Sequence, residues 1–219
     1  MISDTEIAQL LVNLYSGPAG FDFYESGAGD SGICWALKCT PEADVVLLRG
    51  SKTLQDWFRD LIALASPWHH PVFGPVHPGF SIGMDRACDE IMSHLRELVP
   101  VIICGHSLGA GRAAILTALM IERGELPLAR VAFGEPKPGF QQLADYIAKV
   151  PGRSYRNGAG VHHDMVTDVP FKIPPELYER PTPLIDVSEP PASVLAIEFD
   201  PFAFHHMPLY AAALAKQGR

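Results

Sequence analysis

Apolar residues recur along much of the chain at the spacing of an amphipathic helix. In the first such run Ile7, Leu11 and Leu14 share one helical face, and Gly17-Pro18 ends the pattern. Four later segments repeat this periodicity. We therefore predict helices over residues 5–15, 81–98, 108–123, 140–150 and 207–216.

Short apolar runs separate these helices and predict strands, some of them buried on both faces of a sheet. Alternation of such strands with helices is typical of the α/β class, in which a mostly parallel central sheet carries helices on both faces. No internal repeat, linker composition or second core is evident, so we predict one domain over residues 1–219. The predicted strands span residues 33–37, 45–48, 99–104, 131–133 and 194–199.

Two proline-rich stretches, residues 66–78 and 170–191, interrupt this alternation. Proline lacks a backbone donor and restricts φ, so we expect both stretches to be irregular. Long irregular connections within a domain are often binding loops or lids.

Composition and charge exclude several functional classes. The 219 residues include 17 Lys and Arg against 25 Asp and Glu, for a net charge of −8, and 47% are hydrophobic. An acidic chain is poorly suited to nucleic acid, and no apolar run reaches the roughly 20 residues of a membrane helix. The acidic start lacks the features of a signal peptide, so we expect a cytoplasmic protein by default, with secretion left open. The oligomeric state is not indicated.

The cysteines and histidines do not form recognisable metal motifs. No two of the four cysteines have C-x-x-C spacing, so we expect free thiols, with a Cys34–Cys39 disulfide as the alternative. The histidine pairs at 69–70, 162–163 and 205–206 would point to opposite sides of an extended chain. We therefore expect no metal and no cofactor.

The strongest chemical signal is Gly105-His106-Ser107-Leu108-Gly109, which lies between a predicted strand and a predicted helix. This strand–turn–helix context is the one in which a G-x-S-x-G serine is exposed as a nucleophile. The N–H of Leu108, at the start of the helix, could then stabilise an oxyanion.

A serine nucleophile needs a general base and an acid that orients the base. In α/β hydrolases these follow the serine in the order acid, then histidine. The available acids are Asp164 and Asp168. The available histidines are His162, His163, His205 and His206.

Five further motifs accompany this turn over residues 30–212. They are Leu48-Arg49-Gly50-Ser51, the amphipathic segment 53–62, Val76-His77-Pro78-Gly79-Phe80, Phe133-Gly134-Glu135-Pro136-Lys137-Pro138-Gly139, and Tyr155-Arg156-Asn157 with Asp164-Met165-Val166. With these motifs in this order, the chain resembles the class 3 lipases, the fungal-type triacylglycerol lipase family. The resemblance implies a single α/β-hydrolase-type domain with a short helical lid.

The resemblance also implies roles for individual residues. Ser107 would be the nucleophile, and Ser51 would join Leu108 in the oxyanion hole. Asp164, before a hydrophobic-Val pair, would be the triad acid, with Asp168 as the alternative. The base would be His205, five residues before a tyrosine, with His206 as the alternative.

The segment after Ser51 resembles the family's lid, which we predict over residues 52–62. Its apolar residues recur at helical spacing on one face. An ordinary helix packed on the core would show the same pattern. The residues of this face are Leu54, Trp57, Phe58 and Leu61.

Together these features predict a serine carboxylic-ester hydrolase, in particular a lipase that acts on acylglycerols or other lipid esters at a lipid–water interface. An esterase for soluble or aromatic esters and a phospholipase are the alternatives within the enzyme class. An inactive hydrolase fold that serves as a binding module is the alternative outside it.

Overall fold

A mostly parallel sheet forms the centre of the molecule. The computed structural model describes residues 2–51, 67–160, 162–170, 177–190, 200 and 202–219. Within them the strand order is β1-β2-β3-β6-β7-β8-β10, with β9 pairing on β8. Strands β3, β6, β7, β8 and β10 are parallel, and β1 and β2 add an antiparallel edge. The strands are β1 Phe23–Ser26, β2 Cys34–Cys39, β3 Asp44–Leu48, β4 Trp68–His70, β5 Gly74–Val76, β6 Val101–His106, β7 Ala129–Phe133, β8 Gly152–Ala159, β9 His162–His163 and β10 Leu184–Val187.

Helices cover both faces of this sheet. Helices α3, α4 and α5 pack on one face, and α1 and α6 pack against each other on the opposite face. The N–H of Thr5 donates to the carbonyl of Arg219, at the other end of the described chain. The described helices are α1 Asp4–Ser16, α2 Pro78–Ser81, α3 Met84–His94, α4 Leu108–Glu122, α5 Gln141–Ile147 and α6 Met207–Gln217, with a 3₁₀ turn at Met165–Asp168.

The helices on both faces of the sheet explain the continuous apolar runs of the sequence. In β3, Val46 and Leu48 join the core under α4, whereas Val45 and Leu47 join the core under α1 and α6. Successive strand residues point to opposite faces, so a strand covered twice needs apolar residues at every position. The predicted fold class, a mostly parallel α/β sheet with helices on both faces, is confirmed.

The fold brings three strand ends together at one edge of the sheet. Leu48 of β3 lies opposite Gly105 of β6, and His106 lies opposite Phe133 of β7. Parallel strands present their carboxyl ends on the same side, which is where open α/β sheets bind ligands. The segments that follow Leu48, His106 and Phe133 therefore meet there.

The helix predicted over residues 81–98 is shorter than expected. Helix α3 begins at Met84, after Gly83 with φ 80°, and Leu95 is already extended. A Cβ at Gly83 would lie 2.1 Å from the carbonyl oxygen of Ser31, so the left-handed glycine separates α2 from α3.

The expectation that both proline-rich stretches are irregular was wrong. Residues 68–76 form the β4–β5 hairpin, with Pro75 opposite His69. The Pro75 carbonyl accepts from the Phe140 N–H, so the backbone of Pro75 faces away from β4 and its missing N–H breaks no hydrogen bond of the hairpin. Strand β10 contains no proline and pairs with β8. Strands β1, β8 and β9 were not predicted, because their mixed polar composition lacks an apolar run.

Several sequence predictions lie outside the described residues. These are the lid over residues 52–62, with Leu54, Trp57, Phe58 and Leu61, and the strand over residues 194–199. The extent of the domain over residues 1–219 stays a prediction. The four cysteines carry free thiols, so the alternative Cys34–Cys39 disulfide is absent. Among the described helices, none combines the length and apolar character that crossing a membrane requires.

Candidate active site

Ser107 occupies a strained turn between β6 and α4. Its φ of 60° and ψ of −130° lie in a region that residues with a side chain rarely adopt. The Ser107 N–H donates to the carbonyl of Phe133 at 3.0 Å, which ties the turn to the end of β7. The turn therefore aims Ser107 from the carboxyl edge of the sheet, as the G-x-S-x-G pattern predicts.

Both glycines of this pattern are required by close backbone packing. A Cβ at Gly105 would lie 2.2 Å from the carbonyl oxygen of Gly109, and one at Gly109 would lie 2.1 Å from that of Leu48. Side-chain carbons do not approach backbone oxygens so closely. The glycines thus let α4 begin directly above the ends of β3 and β6.

Asp164 and His205 form a buried hydrogen-bonded pair. His205 Nδ1 lies 2.6 Å from Asp164 Oδ2, and both side chains are fully buried. Asp164 also accepts from the Tyr210 hydroxyl at 2.5 Å and, through Oδ1, from the Val166 N–H at 2.9 Å. A carboxylate held in this way sets the ring orientation of the histidine and leaves Nε2 for proton transfer.

The environment of Asp164 favours its ionised form. Burial by itself raises the pKa of Asp164, but the charge of His205 and the hydrogen bonds from His205, Tyr210 and Val166 outweigh burial and lower this pKa below its usual value. Burial and the adjacent carboxylate raise the pKa of Tyr210 well above its usual value. Tyr210 is therefore a neutral donor to an ionised Asp164.

Within Ser107 and the Asp164–His205 pair, two buried side-chain atoms lack a hydrogen-bond partner among the described residues. They are Ser107 Oγ and His205 Nε2. Most buried polar atoms are paired, so each exception needs an explanation. A hydroxyl and an imidazole nitrogen without partners are the two atoms that a serine nucleophile and its general base would use.

Gly134 makes room for the Asp164–His205 pair. Its φ is 56°, and a Cβ there would lie 2.6 Å from Asp164 Oδ2 and 2.8 Å from His205 Nδ1. The next residue, Glu135, is fully buried and forms an ion pair with the buried Arg130 of β7. The buried ion pair therefore fixes the turn after β7, and Gly134 in this turn faces the Asp164–His205 pair.

The segment after β3 packs directly against Ser107. A Cβ at Gly50 would lie 2.7 Å from Ser107 Cβ, so the backbone leading to Ser51 passes next to the serine. Leu108 is the first residue of α4, and its N–H has no acceptor within the helix. Ser51 thus follows the residue that packs against Ser107, and Leu108 follows Ser107 itself at the start of α4.

A chain of hydrogen bonds connects α1 to this site. The Gly50 N–H donates to the Tyr15 hydroxyl at 3.1 Å, and Tyr15 Oη lies 2.7 Å from His106 Nδ1. His106 Nε2 lies 2.8 Å from the carbonyl oxygen of His205, which can only accept, so Nε2 carries the proton. Nδ1 of the neutral ring then accepts from Tyr15.

His106 is held in this neutral form. Burial, followed by the charge of neighbouring His205, lowers the pKa of His106 to about 3. Its ring also stacks on that of His205, with centroids 4.6 Å apart. His106 therefore contacts His205 through both its ring and a hydrogen bond.

The alternative acid and base make other contacts. Asp168 Oδ2 lies 2.7 Å from His163 Nε2, and the Asp168 side chain is 43% exposed. His206 is 56% exposed and lies 3.4 Å from Asp200 Oδ2. The structure thus brings together Asp164 and His205, and neither Asp168 nor His206 takes part in that pair.

Sequence reasoning missed four residues of this site: Tyr15, His106, Gly134 and Tyr210. The five-residue spacing from His205 to Tyr210 was a usable signal, since it marked the tyrosine as a fixed companion of the histidine. Tyr15 carried no signal, because a tyrosine near the end of an amphipathic helix resembles any other core residue. Its contact with His106 joins residues 91 positions apart.

A cleft of about 320 Å³ opens beside these residues. Ser51, His106 and His205 line it, together with residues of α1 and of the first turn of α6. Pockets of this size are at the low end of those that hold small molecules. The site therefore combines an unpartnered serine and histidine with adjacent space for a ligand.

Comparisons with known proteins identify the family of this chain. Residues 45–173, more than half of the chain, match the family model described as Lipase (class 3). Secreted mono- and diacylglycerol lipase A of Penicillium cyclopium is 26% identical over 152 residues, which cover 62% of this chain and 46% of that protein. The chain thus spans about half the length of that relative.

Solved structures of lipases share the fold. The mono- and diacylglycerol lipase of Aspergillus oryzae superposes with a TM-score of 0.67 at 19% identity, covering 88% of this chain and 83% of that one. The triacylglyceride lipase of Rhizomucor miehei gives a TM-score of 0.58 at 20% identity, covering 77% and 65%. With the family model matched across the strands and turns that build the site, the chain belongs to the class 3 lipase family.

Proposed function

We propose that this chain is a serine carboxylic-ester hydrolase that acts on acylglycerols or other lipid esters through an acyl-enzyme on Ser107. The observation that carries the proposal is the buried Asp164–His205 hydrogen bond of 2.6 Å, with His205 Nε2 unpartnered among the described residues. The strained, buried Ser107 beside Gly50 supplies a nucleophile in the position that such a pair serves.

In the proposed reaction Ser107 Oγ attacks the ester carbonyl while His205 Nε2 takes its proton. Asp164 stabilises the imidazolium and keeps Nδ1 protonated. The N–H groups of Ser51 and Leu108 stabilise the negative oxygen of the tetrahedral intermediate. Loss of one such donor typically lowers kcat by a factor of about 10²–10³.

Collapse of the intermediate breaks the bond to the alcohol oxygen. His205 Nε2 returns its proton to that oxygen, so the alcohol leaves neutral and the acyl group stays on Ser107. Water then attacks the acyl-enzyme, with His205 as the base for water and then as the acid for Ser107. The products are a carboxylic acid and the regenerated enzyme.

The substrate class rests on the relatives. The similar proteins are lipases of mono-, di- and triacylglycerols. We extend this class to the present chain, with a lid over residues 52–62 that opens at a lipid–water interface. An esterase for soluble or aromatic esters and a phospholipase predict different substrate rankings and are separated by direct assay.

The test uses Ser107→Ala and the matched control Ser93→Ala, an exposed serine on α3. We expect wild type and Ser93→Ala to release fatty acid from emulsified mono-, di- and triacylglycerols and to bind one equivalent of an organophosphonate. Ser107→Ala should do neither. Wild type that is folded but neither hydrolyses esters nor reacts with the phosphonate would instead support the inactive binding module.

A further inference from the structure

The cleft beside the proposed catalytic residues receives its apolar wall from both ends of the chain. Val12 of α1 lies on one side, and Met207 and Pro208 of the first turn of α6 lie on the other. Val12 is half-buried and packs against the core under α1 and α6, so part of its side chain remains on the cleft. Among the described residues, Tyr15, His106 and His206 also line the cleft, and Val12, Met207 and Pro208 are its aliphatic part.

We propose that this cleft holds the alcohol portion of the ester and that Val12 and Met207 limit the size of the alcohol accepted. This inference rests on the proposed function, because Ser51 and His205 line the cleft as well as taking part in the proposed reaction. A group bound there would thus lie next to two of the residues of the proposed reaction.

The position of His205 indicates that the cleft holds the alcohol of the ester and not its acyl chain. His205 returns its proton to the departing oxygen, which must lie about 2.6–3.2 Å from Nε2. The atoms attached to that oxygen then extend along the residues next to His205. The cleft is lined by the four consecutive residues 205–208, so it begins where the alcohol must lie.

The size of the cleft agrees with this assignment. A volume of about 320 Å³ suits a compact group, such as the glycerol part of an acylglycerol without its remaining acyl chains, since it is at the low end of small-molecule pockets. Met207 can adapt to different shapes because its thioether chain is unbranched and flexible. The half-buried Val12 is branched at Cβ and sits on a regular helix, so it forms the stiffer wall.

The test measures kcat/KM on two ester series with Val12→Trp, Val12→Ala and the control Asn13→Trp, an exposed neighbour on α1 outside the cleft. The alcohol series is methyl, butyl and benzyl butanoate. The acyl series is p-nitrophenyl acetate, butanoate, octanoate and decanoate. The first series changes only the alcohol, and the second changes only the acyl group.

We expect Val12→Trp to lower the benzyl-to-methyl ratio of kcat/KM about tenfold or more and Val12→Ala to raise it, as steric changes in a pocket typically do. The ranking within the acyl series should stay as in wild type for both variants. Asn13→Trp should match wild type in both series. If Val12→Trp does not fold, the direction of the Val12→Ala change decides.

Two results would overturn the inference. One is a changed acyl ranking with an unchanged alcohol ranking, which would make the cleft an acyl subsite. The other is no change in either ranking in a folded Val12→Trp. Both presuppose a wild type that hydrolyses esters and reacts with a phosphonate at Ser107. A wild type lacking both properties defeats the proposed function itself and, with it, this inference.

Discussion

The imidazole of His106 donates a hydrogen bond to the backbone carbonyl of His205, at 2.8 Å, while its ring stacks on the ring of the same residue. His106, the residue before the proposed nucleophile, therefore holds both the backbone and the ring of His205, the proposed base. Because Tyr15 Oη in turn contacts His106 Nδ1, a residue of the first helix supports this arrangement.

The burial of His106 against His205 predicts that the free energy of unfolding changes with pH through the titration of His106. Its folded pKa of about 3 is below the value of about 6.5 for an unfolded histidine. The unfolded chain thus binds more protons between these values. The stabilisation is present above pH about 6.5 and is lost as the pH falls towards 3, by up to about 1.4 kcal/mol per pH unit.

Replacing the ring by His106→Gln removes this titration. We expect the variant to be less stable than wild type at pH 7 by about 1–3 kcal/mol, and the gap to shrink as the pH falls to 4.5. Urea unfolding at several pH values measures this difference in unfolding free energy between wild type and variant. The exposed His69→Gln serves as control and should show no such narrowing. A gap for His106→Gln that is constant with pH would contradict the prediction.

Gly134→Ala should damage the Asp164–His205 pair. The new methyl would meet both side chains at under 3 Å, and displacements of about 1 Å can reduce turnover about 10²-fold. Gly32→Ala is a matched control, because Gly32 has a similar φ of 67° and a Cβ there would meet no atom within 4 Å. Esterase kinetics and thermal unfolding of both variants test this, and equal losses of activity would attribute the effect to backbone strain alone.

Glu135→Gln should destabilise the fold. It leaves the buried Arg130 without its anionic partner, which typically costs about 3–5 kcal/mol. The partly exposed pair Arg156–Asp186 offers a comparison, and Asp186→Asn should cost about 1 kcal/mol or less. Guanidinium unfolding measures the loss of unfolding free energy in each variant. Similar losses in both would show that burial of the Arg130–Glu135 pair is energetically unimportant.

The predicted lid makes a separate kinetic expectation. If Leu54, Trp57, Phe58 and Leu61 cover the site in water, activity on p-nitrophenyl esters should rise sharply above the solubility limit of the substrate. Trp57→Gln should weaken this rise, whereas Gln55→Ala, outside the apolar face, should preserve it. Simple saturation by soluble esters in wild type would favour an ordinary helix packed on the core.

The sequence predicted the parts of the fold whose signals are local. Continuous apolar runs marked β3 and β6, and the glycine pattern marked the turn at Ser107. Strand β8 was missed because its residues are largely polar and form no continuous apolar run. The hairpin β4–β5 was missed because proline was taken as a barrier, although the backbone of Pro75 faces away from β4 and owes the hairpin no hydrogen bond.

The candidate site was predictable to a similar extent. The family resemblance selected Asp164 and His205 as partners, and in the structure they lie 2.6 Å apart. Tyr15 could not be found, since its importance comes from a contact between segments far apart in the chain. Gly134 lies in one of the family motifs, but its contact with the Asp164–His205 pair could not be inferred. The roles of Ser51 and Leu108 stay predictions.

The packing of α1 on α6 has a consequence for folding. Residues that border the proposed nucleophile and base come from near both ends of the described chain, so the site is complete only when the first and last helices have docked. Contacts between such distant segments form late and slowly, because a long loop must be closed first. A folding intermediate that has built the sheet and α4 would therefore lack activity, and recovery of activity during refolding should coincide with docking of these two helices.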